Sequence, residues 1–149
     1  MALFIALISV VTMIISDLRL RKVSLYALLI FGSSILIHSC LESGFRICIS
    51  NVMGNMLLLI LMGLIGILWF YATGSPHKLK KSVGCGDIIF FAASSPLFQL
   101  YEYMIFMIAS FAISLLWWLI MFFTTKRRTT IPLVATSGIC CIAYICLLI

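Results

Sequence analysis

Residues Val52–Ala72 read VMGNMLLLILMGLIGILWFYA, an uninterrupted run of 21 residues with no charged side chain. A helix needs about 20 such residues to cross a hydrocarbon core of about 30 Å, so this run reads as a membrane-spanning helix. Five further apolar stretches flank it: Ala2–Ser16, Ser24–Leu41, Ile88–Leu100, Tyr103–Thr124 and Ile131–Ile149. Across the chain 64% of residues are hydrophobic and 9% charged, against about 25% charged in soluble domains. The expected fold is all-α, a polytopic membrane protein of six transmembrane helices forming one domain over residues 1–149. Six spans of roughly 20 residues leave only short loops and no room for a separate soluble domain. The first stretch lacks a basic leader region and a small-x-small cleavage site, so it reads as a retained span rather than a signal peptide.

Charge sets the expected orientation. The net charge is +6, and nine of the ten Lys and Arg residues fall in alternate loops: Arg19, Arg21 and Lys22; Lys78, Lys80 and Lys81; Lys126, Arg127 and Arg128. Cytoplasmic loops carry such an excess, so these three loops are expected inward and both termini outward, periplasmic or extracytoplasmic. The positive charge then reflects topology and the lipid bilayer, with no nucleic acid partner. On the opposite side, Glu42 and Arg46 stand i,i+4 and are expected to pair if helical. Glu102 is expected to mark a tight turn between the fourth and fifth spans.

Against this background the acidic residues stand out, because the chain holds only two aspartates, Asp17 and Asp87. A carboxylate near the centre of a span costs about 2.5 to 3.5 kcal/mol on insertion scales, so an aspartate at a span edge is read as functional. Asp17 lies 16 residues, about 24 Å, from Met1, and Asp87 lies 15 residues, about 22 Å, from Glu102. Both carboxylates are thus expected at a similar depth near the inner face. One closes an inward-going helix and the other opens an outward-going one. Two carboxylates in reach of each other share a proton; the ionised member removes a proton from water while the protonated one polarises a peptide carbonyl. Such a dyad needs no metal, cofactor or covalent intermediate.

Asp87 closes the quartet Gly84-Cys85-Gly86-Asp87. Gly84 and Gly86 are expected to supply backbone angles closed to other residues and close approach for a substrate strand, with Asp87 meeting free N–H groups at a helix start. The interval Thr73–Asp87, with Gly74, Pro76, Gly84 and Gly86, is the expected site of irregular backbone beside a hydrated cavity.

The remaining residues read as structure. Cys40, Cys48, Cys85, Cys140, Cys141 and Cys146 form no Cys-x-x-Cys pair and are expected to pack as small apolar groups. His38 and His77 have no spaced partner for a metal site. Gly54, Gly63, Gly66, Ala109, Ser110, Ala112 and Ser114 are expected at close helix approaches. Trp69 and Tyr71 read as interfacial anchors, and Trp117 and Trp118 as deeper residues packed between helices.

Asp17-Leu18-Arg19-Leu20-Arg21 after the first span, with Gly84-Cys85-Gly86-Asp87 opening the fourth, resembles the type IV prepilin peptidases, intramembrane aspartic proteases of the Gly-x-Gly-Asp class. Ile131-Pro132 after Lys126-Arg127-Arg128 is a weaker echo. The resemblance in order and spacing covers essentially the whole chain. It implies Asp17 and Asp87 as catalytic residues, Gly84 and Gly86 as the active-site loop, and a prepilin or pseudopilin substrate. The implied reaction is removal of a short basic leader, commonly after a glycine, at the cytoplasmic face of a bacterial or archaeal cytoplasmic membrane. Arg19, Arg21, Lys78, Lys80 and Lys81 are candidate substrate or lipid contacts. Two positions depart from the family pattern: Val23-Ser24-Leu25 stands where Ile-Pro-Asn is common, and Ile89 where a lysine is common. The amino-terminal Cys-x-x-Cys insertion associated with N-methylation in larger members has no counterpart, so peptidase activity alone is expected. A non-catalytic membrane scaffold or inactive peptidase relative in a pilus or secretion assembly is the alternative, and a small proton-coupled transporter a third.

Overall fold

The structure, a computed structural model, describes residues 1–20, 23–73, 84–125 and 133–148. The described residues form six α-helices: α1 (Ala2–Leu20), α2 (Leu25–Ser43), α3 (Phe45–Ala72), α4 (Cys85–Ser94), α5 (Leu100–Thr125) and α6 (Leu133–Leu148). A single 3-10 turn, Ser95–Leu97, follows α4. Four helices, α1, α2, α3 and α5, are long and apolar enough to cross a membrane, while α4 and α6 are apolar but shorter. The protein therefore has the architecture of a multi-pass helical membrane protein.

Two boundaries differ from the sequence reading, and each has a local cause. The third helix begins at Phe45 rather than Val52 and runs for 28 residues, about 42 Å at 1.5 Å per residue. Gly44 is the corner that lets it start so soon: its φ of 82° is the left-handed conformation that favours glycine, and α2 ends there. Because that corner falls between Glu42 and Arg46, the two residues do not share a helix. Glu42 pairs instead with His38, one turn back, at 2.8 Å. The fourth helix is only ten residues long, and it stops where Pro96 enters the following turn. Glu102 lies beyond that turn, in the first turn of α5, where its Oε2 accepts the Gln99 N–H at 3.2 Å. This is one half of a capping box.

Helices α1, α2, α3, α5 and α6 contact one another in a closed order, α1 to α2, α2 to α3, α3 to α5, α5 to α6 and α6 to α1. α4 and its turn pack against α2, α3 and α6. An aromatic cluster fills that junction. Phe31 of α2 stacks on Phe90 of α4 at 5.4 Å, Phe91 meets Phe106 edge-on at 5.8 Å, and Phe98 stacks on Phe106 at 4.6 Å. Such contacts add to the apolar burial itself.

Several interior hydrogen bonds lock α4 in place. Tyr103 on α5 donates its hydroxyl to the Phe91 carbonyl at 2.9 Å. Asn55, fully buried on α3, donates to the Ser95 and Phe98 carbonyls, both at 2.8 Å. These carbonyls lie where the helix has ended and have lost their intrahelical donors. Gly32 of α2 brings the backbone close to Ala93, whose Cβ would lie 3.4 Å from a side-chain carbon added at Gly32. α4 is thus fixed from three neighbours.

The expected small-residue contacts are only partly realised. Ser110 and Ser114 are buried, and the Ser114 hydroxyl bonds to that of Thr136 on α6. Gly63 and Gly66, by contrast, face open space, Gly54 has only Leu100 near it, and Ala112 is exposed. The close approaches fall at Gly32 and Gly138 instead. Trp117 and Trp118 are exposed rather than packed between helices, and Trp118 stacks on Phe122 of its own helix at 5.3 Å. Trp69 and Tyr71 are exposed near the end of α3. Among the cysteines, Cys48 and Cys141 are buried, whereas Cys85 and Cys146 are exposed, so packing does not account for all six.

Candidate functional site

Asp17 stands in the last turn of α1, because the helix continues through Ser16 and the first basic residue to Leu20. It is only 8% exposed. A buried carboxylate needs hydrogen-bond donors, and one comes from a distant part of the chain: Ala135 donates its backbone N–H to Oδ2 of Asp17 at 2.9 Å. Ala135 is the third residue of α6, so its N–H is among the first four of that helix, which have no intrahelical acceptor. The positive end of the helix dipole lies at the same place.

The approach of α1 to α6 is set by side chains one turn away. A side-chain carbon added at Gly138 would lie 2.8 Å from Cγ1 of Ile14 and 3.2 Å from Cγ1 of Val10. Asp17 over Ala135 and Ile14 over Gly138 is the register of two antiparallel helices, each stepping three residues in opposite directions. The lack of a Cβ at Gly138 lets the helices come close enough for the hydrogen bond to form.

Asp87 is the third residue of α4. Its carboxylate turns back toward the Gly84 amide and lies close enough to Asp17 for the two charges to repel. A side-chain carbon at Gly84 would lie 2.7 Å from Oδ2 of Asp87. This revises the reason for the glycine: Gly84 has φ −73° and ψ 133°, an ordinary extended conformation, so its use is space rather than unusual angles. Gly86 has the same character. A carbon added there would lie 3.2 Å from Cγ2 of Val23, in the segment entering α2.

The structure therefore brings Asp17, Asp87, Gly84 and Gly86 to one end of the bundle, where α1 ends and α4 and α6 begin. Arg19 is exposed two residues beyond Asp17. Arg21, Lys78, Lys80, Lys81, His77, most of the Thr73–Asp87 interval, the third basic cluster and Ile131-Pro132 lie outside the described residues. Among the described residues no three His, Cys, Asp or Glu side chains converge to hold a metal ion. Two groups at the site escaped the sequence reading, the Ala135 N–H and Gly138 with Ile14, while Val23 stood out only as a departure from the family pattern. Backbone donors leave no residue signature, although Pro132 just ahead of Leu133 is a helix-start signal that bears on the first.

The fold defines a multi-pass helical membrane protein in which Asp17 and Asp87 lie at the same end of the bundle, where α1 ends and α4 and α6 begin. Comparison with protein-family models, with curated proteins and with solved structures found no match to the chain.

Proposed function

We propose that the protein is a membrane-embedded aspartic endopeptidase that removes the short basic leader of prepilin-like or pseudopilin-like proteins at the cytoplasmic face. In this reading all six helices are embedded, both termini face outward and the basic clusters mark the cytoplasmic side of a bacterial or archaeal cytoplasmic membrane. The observation that carries it is that Asp17 and Asp87, 70 residues apart in sequence and on different helices, lie within electrostatic reach of each other at one end of the bundle.

The chemistry follows from that pairing. Two neighbouring carboxylates hold one proton between them, because the second charge is costly beside the first. The ionised carboxylate takes a proton from a water molecule, whose oxygen attacks the scissile carbonyl carbon. The protonated carboxyl donates to the carbonyl oxygen, and the tetrahedral adduct collapses as the amine leaves with a proton. The missing side chain of Gly84 lets the Asp87 carboxylate lie against the backbone that opens α4. Arg19, in the last turn of α1, and Arg21, Lys78, Lys80 and Lys81, from the basic clusters of the sequence, are the candidate contacts for the substrate leader or anionic lipid headgroups.

The test is co-expression with a candidate prepilin carrying a short basic leader. Wild type is expected to shorten the substrate, and Asp87→Asn to leave it full length. A wild type that retains the substrate without cutting it would instead support the scaffold reading, which the departures at Val23-Ser24-Leu25 and Ile89 motivate.

A further inference from the structure

We propose that the first turn of α6 is a positioning element of the dyad: the Ala135 amide anchors Oδ2 of Asp17, so that Asp17 holds the negative charge of the pair and Asp87 the proton. This inference rests on the peptidase reading above and assigns the two roles within it, Asp17 as base and Asp87 as acid.

Three observations converge on the assignment. The first is the hydrogen bond itself, 2.9 Å from the Ala135 nitrogen to Oδ2 across 118 residues of sequence. A backbone N–H can only donate, and donation to a carboxylate favours its charged form. The second is placement: Ala135 lies in the first turn of a 16-residue helix, whose unpaired amides and dipole attract negative charge. The third is the packing that enforces both, because Ile14 and Val10 close on Gly138 with no space for a side chain. Asp87 also lies in a first helical turn, near the Gly84 amide. That contact belongs to its own helix start, and it leaves Asp87 facing the charge of Asp17. Asp87 is the titratable group that reaches Asp17 from α4, while from α6 the neighbours of Ala135 are Val134 and the hydroxyl residue Thr136. Arg19, on the same helix as Asp17, is exposed.

Asp17, the ionised member, takes the proton from water. Asp87 then donates its proton to the substrate carbonyl oxygen. As the C–N bond breaks, the proton held by Asp17 passes to the leaving nitrogen and a hydroxyl proton of the adduct returns to Asp87 as the carboxyl product forms, restoring the starting state.

The experiment replaces the Ala135 amide by an ester, introducing lactic acid at position 135 by nonsense suppression, which deletes the N–H and keeps the side chain. Purified wild-type and ester proteins are reconstituted in lipid nanodiscs, and cleavage of a synthetic peptide is followed from pH 4 to 9. The probe has a short basic leader, a glycine at the junction and an apolar helix. The expected result is a loss of about 10- to 100-fold in kcat/KM, the range for losing one hydrogen bond to a charged group, with the acid limb of the pH profile moved to higher pH. The sign follows from removing a donor that stabilises the charged base. Gly138→Leu, which displaces the same amide through packing, should move the limb in the same direction, and it stands in if the ester protein does not fold. A purely structural role predicts slower cleavage with the acid limb unmoved, and either that result or an ester profile equal to wild type overturns the assignment while leaving the peptidase reading intact. A wild type that does not cut the probe or a co-expressed prepilin overturns the peptidase reading, and the assignment falls with it.

Discussion

Gly84 and Asp87 are so close that a single added side-chain carbon on the glycine would lie 2.7 Å from Oδ2 of the aspartate. Carbon and oxygen do not approach so closely without displacement. Gly84→Ala is therefore expected to turn the Asp87 carboxylate away from its present position. Gly84 is exposed and extended, so the variant should fold as well as wild type. Cleavage should fall about 100-fold, the cost of misplacing a catalytic group by about 1 Å. Equal cleavage rates in the purified proteins would show that the contact has no catalytic consequence.

The Asn55 side chain carries a separate, structural prediction. Its amide holds the Ser95 and Phe98 carbonyls where α4 has ended, and Leu in its place would leave both without that donor in the interior. Each buried polar group left unpaired costs about 1–3 kcal/mol. Asn55→Leu should therefore unfold markedly earlier than wild type in a thermal or SDS titration. A midpoint unchanged within error would mean that the carbonyls find other donors.

The glycines divide into two groups by what surrounds them. Gly32 faces the Cβ of Ala93, whereas Gly63 has nothing within 4 Å. Gly32→Leu is expected to destabilise by about 1–3 kcal/mol through overpacking, and Ala93→Gly should recover part of that loss. Gly63→Ala should be neutral or stabilise by up to about 1 kcal/mol, from helix propensity alone. Denaturation midpoints of the four proteins compare them directly, and equal losses at Gly32 and Gly63 would contradict the packing described.

Acidity should control cleavage through the shared proton. The dyad works with one proton, so activity is expected to fall on the acid side, where both carboxyls are protonated, and on the alkaline side, where both are ionised. A pH series of kcat/KM on the synthetic leader peptide should be bell-shaped. A profile flat across pH 4 to 9 would exclude carboxylate acid–base chemistry.

Much of this was legible in the residues. Uncharged runs such as Val52–Ala72 announce helices for a membrane, since nothing else satisfies the backbone there, and the rarity of aspartate singled out Asp17 and Asp87. Counting helix rise gives the two a similar expected depth. What the residues did not disclose was where helices stop and which faces meet. The corner at Gly44 and the early end of α4 at Pro96 depend on local backbone choices that an apolar pattern does not record. Gly63 and Gly138 look alike in sequence, yet only Gly138 meets another helix, because that depends on which neighbour the bundle sets beside it. The Ala135 amide was invisible for a simpler reason: every residue except proline has one.

In the proposed mechanism Asp17 and Asp87 act as one unit. The measurement is cleavage of the synthetic leader peptide by purified wild type, Asp17→Asn, Asp87→Asn and the double variant in nanodiscs. Each single substitution is expected to lower kcat by at least about 1000-fold, and the double variant to be no slower than the worse single one, since groups that act together are lost together. Cleavage near the wild-type rate by either single variant would contradict the dyad.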